Sequence, residues 1–534
     1  MSWTLLVAVF VILPASASAQ ERTLDAGILR FMQSGRELGR ETFRRTETVF
    51  ETSTSVPIIN LRLEYRTKYD ARGRVLQFEA QAFDLVADTL QRTYRATADG
   101  DSLHCTQFEA SGAERSWTVA ATPDLVIAAQ SVAAFAELVQ RAGRRDTAFS
   151  AWSPELNQLT EVTVTFRGDT ADVQTATLPL TAILGPDGRV TEVDIAVQGV
   201  KAIRAGAETL PPLEGLTRPE PDYEAPAGAP FTAEEVRVPV TPEGGDAFEL
   251  AGTLTVPKSG TAPYPAAILI TGSGGQNRDE ELWPLVEGYR PFRQIAVRLA
   301  EAGIAVLRVD DRGVGGSGRP GPAGATTPDL ANDVRAELEW LRARPEIDPD
   351  RIALIGHSEG GIIGPMVAAT DPRVAAVVIM AGTAKNGVEI LKDQAIWPIE
   401  TAPGLSPERR AELVAKALDA VTSDTANPSA WIRWFRSYDP LPTARAVKQP
   451  VLILQGALDR QVSAGQADTL EQVMREGGNR DVTKHIFPRL NHLFLESPTD
   501  GSPSEYLGLT NVEVPDRVLD TLAEWLAKRL KVGG

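Results

Sequence analysis

The sequence contains one cysteine among its 534 residues, Cys105. A single thiol cannot form a disulfide within the chain, and it cannot build the metal sites that need several thiolates. Histidine is scarce too. The chain has His104, His357, His485 and His492, too few for a histidine-rich metal centre unless distant residues converge. Disulfide scaffolds and cysteine-based metal proteins are therefore excluded.

Positive charge is also in short supply, because 54 Lys and Arg face 71 Asp and Glu, which gives a net charge of -17. An acidic surface of this kind repels phosphate backbones and anionic lipid head groups. We expect no nucleic-acid partner. Beyond the N-terminus no run of about 18 consecutive apolar residues occurs, so we expect no stable insertion into a membrane.

The N-terminal residues have the pattern of a secretory signal. An apolar run from Leu5 to Leu13 is followed by Pro14 and by the small residues Ala17-Ser18-Ala19. Such a run with a small-x-small site predicts a cleaved signal peptide over residues 1–19, although Lys and Arg are missing before the run. The expected location is exported, either periplasmic or secreted.

Residues 21–210 read as a mostly antiparallel β domain. In the segment LRLEYRTKY, at 61–69, apolar and polar residues alternate as in a half-buried strand, and similar runs recur. One helix is predicted over 122–143, with Thr122 as its N-cap and Gly143 at its end. The stretch 211–231 is rich in Pro, Gly and acidic residues. This composition predicts a linker.

Residues 232–534 have a different pattern, in which continuous apolar runs alternate with helical stretches. Continuous runs are typical of strands that are covered on both faces, and this alternation predicts a doubly wound, mostly parallel α/β sheet. A hairpin-like pair of strands leads into it. The predicted core strands are AAILITG (266–272), IAVLRVD (304–310), RIALIG (351–356), VAAVVIMAG (374–382), PVLILQG (450–456) and TKHIFP (483–488).

One connection between core strands is far longer than ordinary loops. It covers about residues 383–447 and contains helical runs with a cluster of aromatic residues, Trp431, Trp434, Phe435 and Tyr438. Long segments of this kind in compact domains are usually functional. We expect a helical cap over the carboxyl ends of the strands, with packing on the sheet edge as the alternative.

The motif Gly356-His357-Ser358-Glu359-Gly360 follows a predicted strand and precedes a predicted helix. This is the setting of a nucleophile elbow, a sharp turn that exposes a strained serine. A serine hydroxyl needs a base, an acid that orients the base, and donors for the oxyanion. Ser358 is therefore the candidate nucleophile, against the alternative of a polar residue in a glycine-rich turn.

The base and the acid follow Ser358 in the chain if the order is serine, acid, histidine. His492 lies in a loop just after the carboxyl end of a predicted strand, whereas His485 lies within that strand. We assign His492 as the base and His485 as a structural residue. Asp459 follows the strand PVLILQG and is the candidate acid, since loops at the carboxyl ends of parallel strands carry the site. Its alternative role is a turn-forming aspartate.

The oxyanion hole needs two backbone N–H groups. One should come from Glu359, the residue after the nucleophile, and the other from the glycine-rich loop after LITG. Ser273 is the predicted second donor and Gly274 the alternative. No cofactor is expected. The match of GVGGSG (313–318) to a dinucleotide-binding turn is interpreted as a tight turn braced by Asp310 and Arg312, because prolines follow it at 320 and 322.

Taken in order, the segments ITGSGGQNRDEE, AVLRVDDRGVGGS, DRIALIGHSEGGIIGPMVAA, PVLILQGALDRQV and LNHLF resemble α/β-hydrolase fold serine hydrolases. The chain is similar above all to exported bacterial carboxylesterases and serine-aminopeptidase-like hydrolases that carry an extra N-terminal domain. The resemblance covers about residues 245–530, and it implies the same triad of Ser358, Asp459 and His492. The oxyanion loop departs from the simplest pattern, since it begins Thr271-Gly272 rather than His-Gly.

These observations predict a serine hydrolase that cleaves a small-molecule carboxylic ester through an acyl-enzyme intermediate, without metal or organic cofactor. The first alternative is a serine aminopeptidase with the same triad and a short peptide substrate. An aminopeptidase needs acidic groups for the substrate amine, and Glu280, Glu281 and Glu359 are the candidates. The second alternative is a binding protein with an inactive hydrolase fold, against which the complete triad argues. The oligomeric state and the role of the N-terminal domain stay open.

Overall fold

The structure is a computed structural model that describes residues 21–33, 35–85, 87–109, 112–128, 131–154, 158–175, 179–206, 210, 220–242, 245–318, 325–402, 405–422 and 429–532. The predicted signal peptide, residues 211–219 of the predicted linker, and the prolines at 320 and 322 lie outside these residues. The described chain divides into two compact units, of which the first ends near residue 215 and the second runs from 216 to the C-terminus, with 33–36 and 195–200 added to it.

The first unit contains a sheet with fifteen described strands, in the order β8-β7-β6-β5-β4-β3-β2-β1-β15-β14-β13-β12-β11-β10-β9. Neighbours such as β3 and β4 pair antiparallel, whereas β9 runs parallel to β10. The strands are β1 Asp25–Gln33, β2 Arg36–Arg45, β3 Val49–Val56, β4 Leu61–Tyr69, β5 Val75–Asp84, β6 Leu90–Asp99, β7 Ser102–Glu109, β8 Glu114–Val119, β9 Leu125–Val126, β10 Thr147–Ser153, β11 Gln158–Arg167, β12 Thr170–Gln174, β13 Pro179–Leu184, β14 Val190–Ile195 and β15 Val200–Arg204.

The helix of the first unit is shorter than the sequence predicts. Helix α1 covers Ala133–Ala142, and Gly143 ends it in the left-handed conformation with φ of 59°. The predicted start at Thr122 is wrong, because Leu125 and Val126 pair with β10 instead. The N-terminus of α1 is capped from far away, since the buried carboxylate of Glu41 accepts the backbone N–H groups of Val132 and Ala133 at 2.8 and 2.7 Å. A cap 92 residues away from Ala133 leaves no local signal in the sequence.

The second unit contains an eight-stranded sheet in the order β16-β17-β19-β18-β20-β21-β22-β23. Strands β16 and β17 form an antiparallel hairpin and β17 pairs antiparallel with β19, while the pairs from β19 onward are parallel. This arrangement confirms the predicted α/β-hydrolase fold. The strands are β16 Phe231–Val240, β17 Phe248–Pro257, β18 Tyr264–Ile270, β19 Ala305–Val309, β20 Ile347–His357, β21 Val374–Met380, β22 Val451–Gly456 and β23 Val482–Phe487.

Helices cover both faces of this sheet, as the continuous apolar strands require. Residues of α3, α4 and α9 pack with one face, and residues of α2 and α10 pack with the other. The helices are α2 Pro291–Glu301, α3 Thr327–Arg342, α4 Gly360–Ala368, α5 Gly387–Thr401, α6 Pro407–Thr422, α7 Ala430–Ser437, α8 Pro440–Ala446, α9 Gly465–Glu476 and α10 Asp516–Arg529. None of the helices in the described part of the chain is both long and apolar enough to cross a membrane.

Four described helices, α5 to α8, belong to the long connection between β21 and β22. Helices α5 and α7 pack at close range, because a Cβ atom at Gly387 would lie 2.0 Å from the backbone oxygen of Phe435. Ile390 of α5 and Phe435 of α7 are buried against Ile362 of α4, the helix that follows Ser358. The insertion therefore packs over the end of the sheet where the candidate nucleophile lies. These four helices are called the cap below.

Candidate active site

Ser358 occupies a strained turn between β20 and α4. Its φ is 53°, in the left-handed region that side chains other than glycine rarely adopt. The glycines on either side are needed for space, since a Cβ atom at Gly356 would lie 1.9 Å from the backbone oxygen of Gly360. One at Gly360 would lie 2.2 Å from the backbone oxygen of Ile270. The Gly-x-Ser-x-Gly spacing is therefore what allows strand, turn and helix to approach this closely.

Asp459 and His492 lie together after the carboxyl ends of β22 and β23. The Nδ1 atom of His492 is 2.8 Å from Oδ2 of Asp459, and both side chains are buried. Asp459 is fixed in turn, because its Oδ1 accepts the backbone N–H groups of Gln461 and Val462, each at 2.8 Å. A carboxylate only accepts hydrogen bonds, so Nδ1 of His492 carries the proton and Nε2 is left as an acceptor.

Ser358 and His492 line one cavity of about 630 Å³. Its walls come from the oxyanion loop, the segment 280–285, the cap and the loops after β22 and β23. The apolar and aromatic residues in its lining are Leu282, Trp283, Leu285, Tyr289, Ile362, Ile390, Leu391, Trp431, Phe435, Val462, Leu493, Pro503 and Tyr506. A cavity of this size, with apolar walls and several polar groups, is typical of small-molecule binding.

The glycine-rich loop after β18 passes against the nucleophile. A Cβ atom at Gly272 would lie 3.3 Å from Cβ of Ser358. The N–H group of Gly272 donates to Oε1 of Glu280 at 2.7 Å, so it is occupied. The backbone N–H groups of Ser273 and Glu359 have no acceptor within the described part of the chain. Both residues line the cavity, as two oxyanion donors must.

His357 is engaged at both ring nitrogens and is not available as a base. Its Nδ1 is 2.9 Å from Oε1 of Glu280, and its Nε2 is 3.0 Å from the backbone oxygen of His492. Burial alone lowers the pKa of His357, but the facing carboxylate of Glu280 outweighs it, and the pKa is raised above its usual value. Through these two contacts His357 ties the loop after β18 to the loop that carries His492.

The carboxylate of Glu359 joins the nucleophile turn to the cap. Its Oε1 accepts from Nε1 of Trp431 at 2.7 Å and from Oγ1 of Thr327 at 2.5 Å. In the predicted aromatic cluster, Trp431 and Phe435 line the cavity and stack with ring centroids 4.9 Å apart. Trp434 is absent from the cavity lining and stacks on Tyr438 instead.

The other residues singled out from the sequence, His485, Asp310 and Arg312, lie outside the cavity lining. His485 lies on the edge strand β23 as predicted, but its side chain is exposed rather than packed. In the turn 313–318, Gly313 and Gly315 have positive φ, and the described helix that comes next, α3, begins only at Thr327. Asp310 binds Arg278 beneath this turn, while Arg312 pairs with Asp333 of α3.

Two contacts of the site were not anticipated from the sequence. The pairing of Glu280 with His357 spans 77 residues and that of Glu359 with Trp431 spans 72. The acids of the GGQNRDEE segment were visible as candidates for substrate binding, but nothing in their spacing indicated that Glu280 holds its own loop. Only the folded chain brings these partners together.

Comparison with known proteins agrees with the fold. Residues 285–499 match the model of the family Serine aminopeptidase, S33. The chain is 27% identical over 288 residues to esterase EstD of Thermotoga maritima, a match that covers 52% of this chain and 66% of the esterase. It is 26% identical over 269 residues to dipeptidyl aminopeptidase BIII of Pseudoxanthomonas mexicana, with 48% of this chain and 35% of that enzyme covered. The match therefore spans less than two thirds of either relative's length.

Among solved structures, the esterase Pf2001 of Pyrococcus furiosus aligns with 61% of this chain and 99% of its own, at 16% identity and a TM-score of 0.39. The sheet topology, the family-model match and the match to esterase EstD identify the second unit as an α/β-hydrolase domain similar to serine-aminopeptidase-like enzymes and to esterases.

Proposed function

We propose that this chain is a serine hydrolase that cleaves carboxylic esters through an acyl-enzyme intermediate on Ser358. The observation that carries the proposal is the buried hydrogen bond of 2.8 Å between His492 and Asp459, in a cavity that also contains Ser358 on its strained turn. In this role Asp459 holds His492 with Nε2 as the free acceptor, which is the form that a general base needs.

The proposed reaction uses groups of the chain alone. Oγ of Ser358 attacks the ester carbonyl carbon while its proton passes to Nε2 of His492. The oxyanion accepts hydrogen bonds from the N–H groups of Ser273 and Glu359. The imidazolium then protonates the departing alkoxide, and the acyl group stays on the serine. A water molecule, deprotonated by His492, then attacks the acyl carbonyl carbon. His492 returns this proton to Oγ of Ser358 as the acyl–oxygen bond breaks, which releases the acid and restores the serine.

Peptide cleavage at a free amino terminus is the second candidate, favoured by the family match and by the dipeptidyl aminopeptidase relative. The cavity offers little to a substrate amine. Oε1 of Glu280 and Oε1 of Glu359 accept hydrogen bonds from the protein, and the Oε2 atom of each is buried without a partner among the described residues. Glu281 also lines the cavity, and its Oε2 accepts from Asn277. The burial and the hydrogen bonds of Glu280 and Glu359 support the ester substrate over an aminoacyl one. The half-buried Glu281 is the carboxylate that a substrate amine could still reach.

A fluorophosphonate probe tests the serine chemistry. Wild-type protein should be labelled and Ser358→Ala should not. His492→Ala should abolish turnover of p-nitrophenyl esters, because no other histidine of the site has a free ring nitrogen. Equal labelling of wild type and Ser358→Ala would exclude the proposal. Comparison of p-nitrophenyl esters with aminoacyl p-nitroanilides then separates the esterase from the aminopeptidase.

We also propose that the protein is exported, on the basis of the N-terminal pattern of residues 1–19. N-terminal sequencing of the protein recovered from the periplasm or the medium of an expressing bacterium should begin near residue 20. An intact N-terminus on protein that stays in the cytoplasm would contradict the proposal.

A further inference from the structure

The carboxylate of Glu359 is shared between two elements that are distant in sequence. Its side chain is buried, with 3% of the residue exposed, and it lies directly after the candidate nucleophile. One donor is the hydroxyl of Thr327 at the start of α3, and the other is the indole N–H of Trp431 on the cap helix α7. The cap is therefore bonded to the same residue whose backbone N–H faces the reacting carbonyl in the proposed function.

Both donors use one oxygen of the carboxylate. Oε2 of Glu359 is buried without a hydrogen-bond partner among the described residues. A buried carboxylate costs free energy unless its hydrogen bonds are made, and bonds to a charged acceptor are stronger than neutral ones. Loss of the Trp431 donor would leave Glu359 with the Thr327 hydroxyl alone among its described partners. The Trp431 bond is thus one of the two described hydrogen bonds that stabilise the buried carboxylate of Glu359.

The same bond fixes the orientation of the Trp431 ring. The indole is held at its nitrogen by Glu359, and its face is stacked on Phe435 with an interplanar angle of 9°. Phe435 is in turn buried against Ile362 and Ile390. A ring that is held by both its polar edge and its face cannot swing out of the cavity without breaking one of these contacts. Trp431 therefore forms a rigid part of the cavity wall.

We propose that Trp431, locked by the carboxylate of Glu359, is the residue that determines which acyl or alkyl group the cavity accepts. Glu359 acts as a positioning residue through this bond, in addition to its backbone N–H. The inference rests on the proposed ester hydrolysis at Ser358. It predicts that substrate selectivity, more than the chemistry, depends on the Glu359–Trp431 bond, because the bond holds a wall of the cavity and touches no reacting atom.

The test uses the full-length protein and p-nitrophenyl esters with acyl chains from acetate to decanoate. Trp431→Phe keeps an aromatic ring but removes the N–H donor. We expect it to flatten the chain-length profile, with kcat/KM for the best substrate lowered about tenfold, mainly through KM, which corresponds to about 1.4 kcal/mol. Glu359→Gln keeps an acceptor oxygen for Trp431 and should keep the wild-type order of preference among chain lengths; its absolute kcat is not part of the test. Glu359→Leu removes it and should reproduce the Trp431→Phe profile.

The double variant Trp431→Phe/Glu359→Leu should have the same chain-length profile as Trp431→Phe, since both changes remove the Glu359–Trp431 bond. Profiles are compared rather than total activity, because Glu359→Leu also removes the acceptor of the Thr327 hydroxyl. Trp434→Phe is the matched control, because Trp434 lies on the same helix and outside the cavity lining. The inference is overturned if Trp431→Phe keeps the chain-length profile of Trp434→Phe, or if the changes that Trp431→Phe and Glu359→Leu make in this profile add.

Fluorophosphonate labelling of each variant separates this inference from the function on which it rests. If wild type takes no label, the proposed function fails. If every variant is labelled and the profiles are unchanged, the function stands and the inference fails. Thermal unfolding of each variant identifies a general loss of stability. If Glu359→Leu is destabilised in this way, Glu359→Gln tests the inference in its place, because it keeps the acceptor for Trp431 without the charge.

Discussion

The replacement Asp459→Asn tests the site most directly, because the carboxylate has four described hydrogen-bond donors around it. Oδ1 accepts from the N–H groups of Gln461 and Val462, and Oδ2 accepts from His492 at 2.8 Å and from Nε2 of Gln455 at 2.9 Å. An asparagine has the same shape but replaces one accepting oxygen by an NH₂ donor. Whichever way the amide is turned, two hydrogen-bond donors face its NH₂ group, which cannot accept from them.

The favoured arrangement keeps the amide oxygen on the two backbone N–H groups and turns the NH₂ group toward His492. His492 can then pair only if Nδ1 becomes the acceptor, which moves the ring proton to Nε2. Nε2 can no longer take the proton of Ser358, so the wrong tautomer is stabilised. The same exchange in a serine-protease triad lowers kcat about 10⁴-fold, which is about 5.5 kcal/mol of barrier. We expect an effect of this size here.

The assay is kcat for p-nitrophenyl butyrate, measured together with thermal unfolding. Asp459→Asn should lose about 10⁴-fold in kcat while staying folded, although the donor left at Gln455 costs about 1–3 kcal/mol of stability. Asp371→Asn is the control, since Asp371 accepts from Arg342 and from the N–H of Arg373 and lines no part of the cavity. Turnover by Asp459→Asn within tenfold of wild type would refute the assignment of Asp459.

Three further predictions follow from the geometry. Gly360→Ala should lower the free energy of unfolding, measured by urea titration, by about 3 kcal/mol or prevent folding, because its Cβ would lie 2.2 Å from a backbone oxygen. Gly364→Ala on the same helix is the control and should be tolerated, because its Cβ would meet atoms only at 3.7 Å and beyond. Burial raises the pKa of Asp311 to about 8, so its contribution to stability is complete below about pH 4 and is lost as the pH rises through 8. The unfolding free energy of wild type should therefore fall more between pH 5 and 9 than that of Asp311→Asn. Parallel curves for the two proteins would contradict this prediction. His485→Ala should leave both kcat and the melting temperature unchanged, because this side chain is exposed; a loss of turnover would reopen the choice of base.

Part of the site could be read from the sequence because its residues follow strands. Ser358, Asp459 and His492 each come just after a continuous apolar run, and parallel strands bring their carboxyl ends to one edge of a sheet. The strand runs themselves are a local pattern, so the ends of β18 to β23 were predicted to within four residues. The order of the chain then places three loops at one edge.

The errors have a common physical origin. The predicted helix over 122–143 begins too early, because Leu125 and Val126 find a strand partner in β10 and the helix cap comes from Glu41. Trp434 and Trp431 belong to the same aromatic cluster of the predicted cap, yet the ring of Trp434 stacks on Tyr438 away from the cavity. In each case tertiary contacts, which local propensity does not encode, decided the outcome.

The sequence by itself determined the α/β fold, the strained serine turn, and the two loops that hold Asp459 and His492, because apolar periodicity and glycine spacing are properties of short segments. Only the tertiary structure decided which polar groups are engaged. Glu280 is paired with His357 and Glu359 with Trp431 across more than seventy residues. Buried charged and polar groups must find partners, and those partners are chosen by the packing of the whole unit rather than by neighbours in the chain.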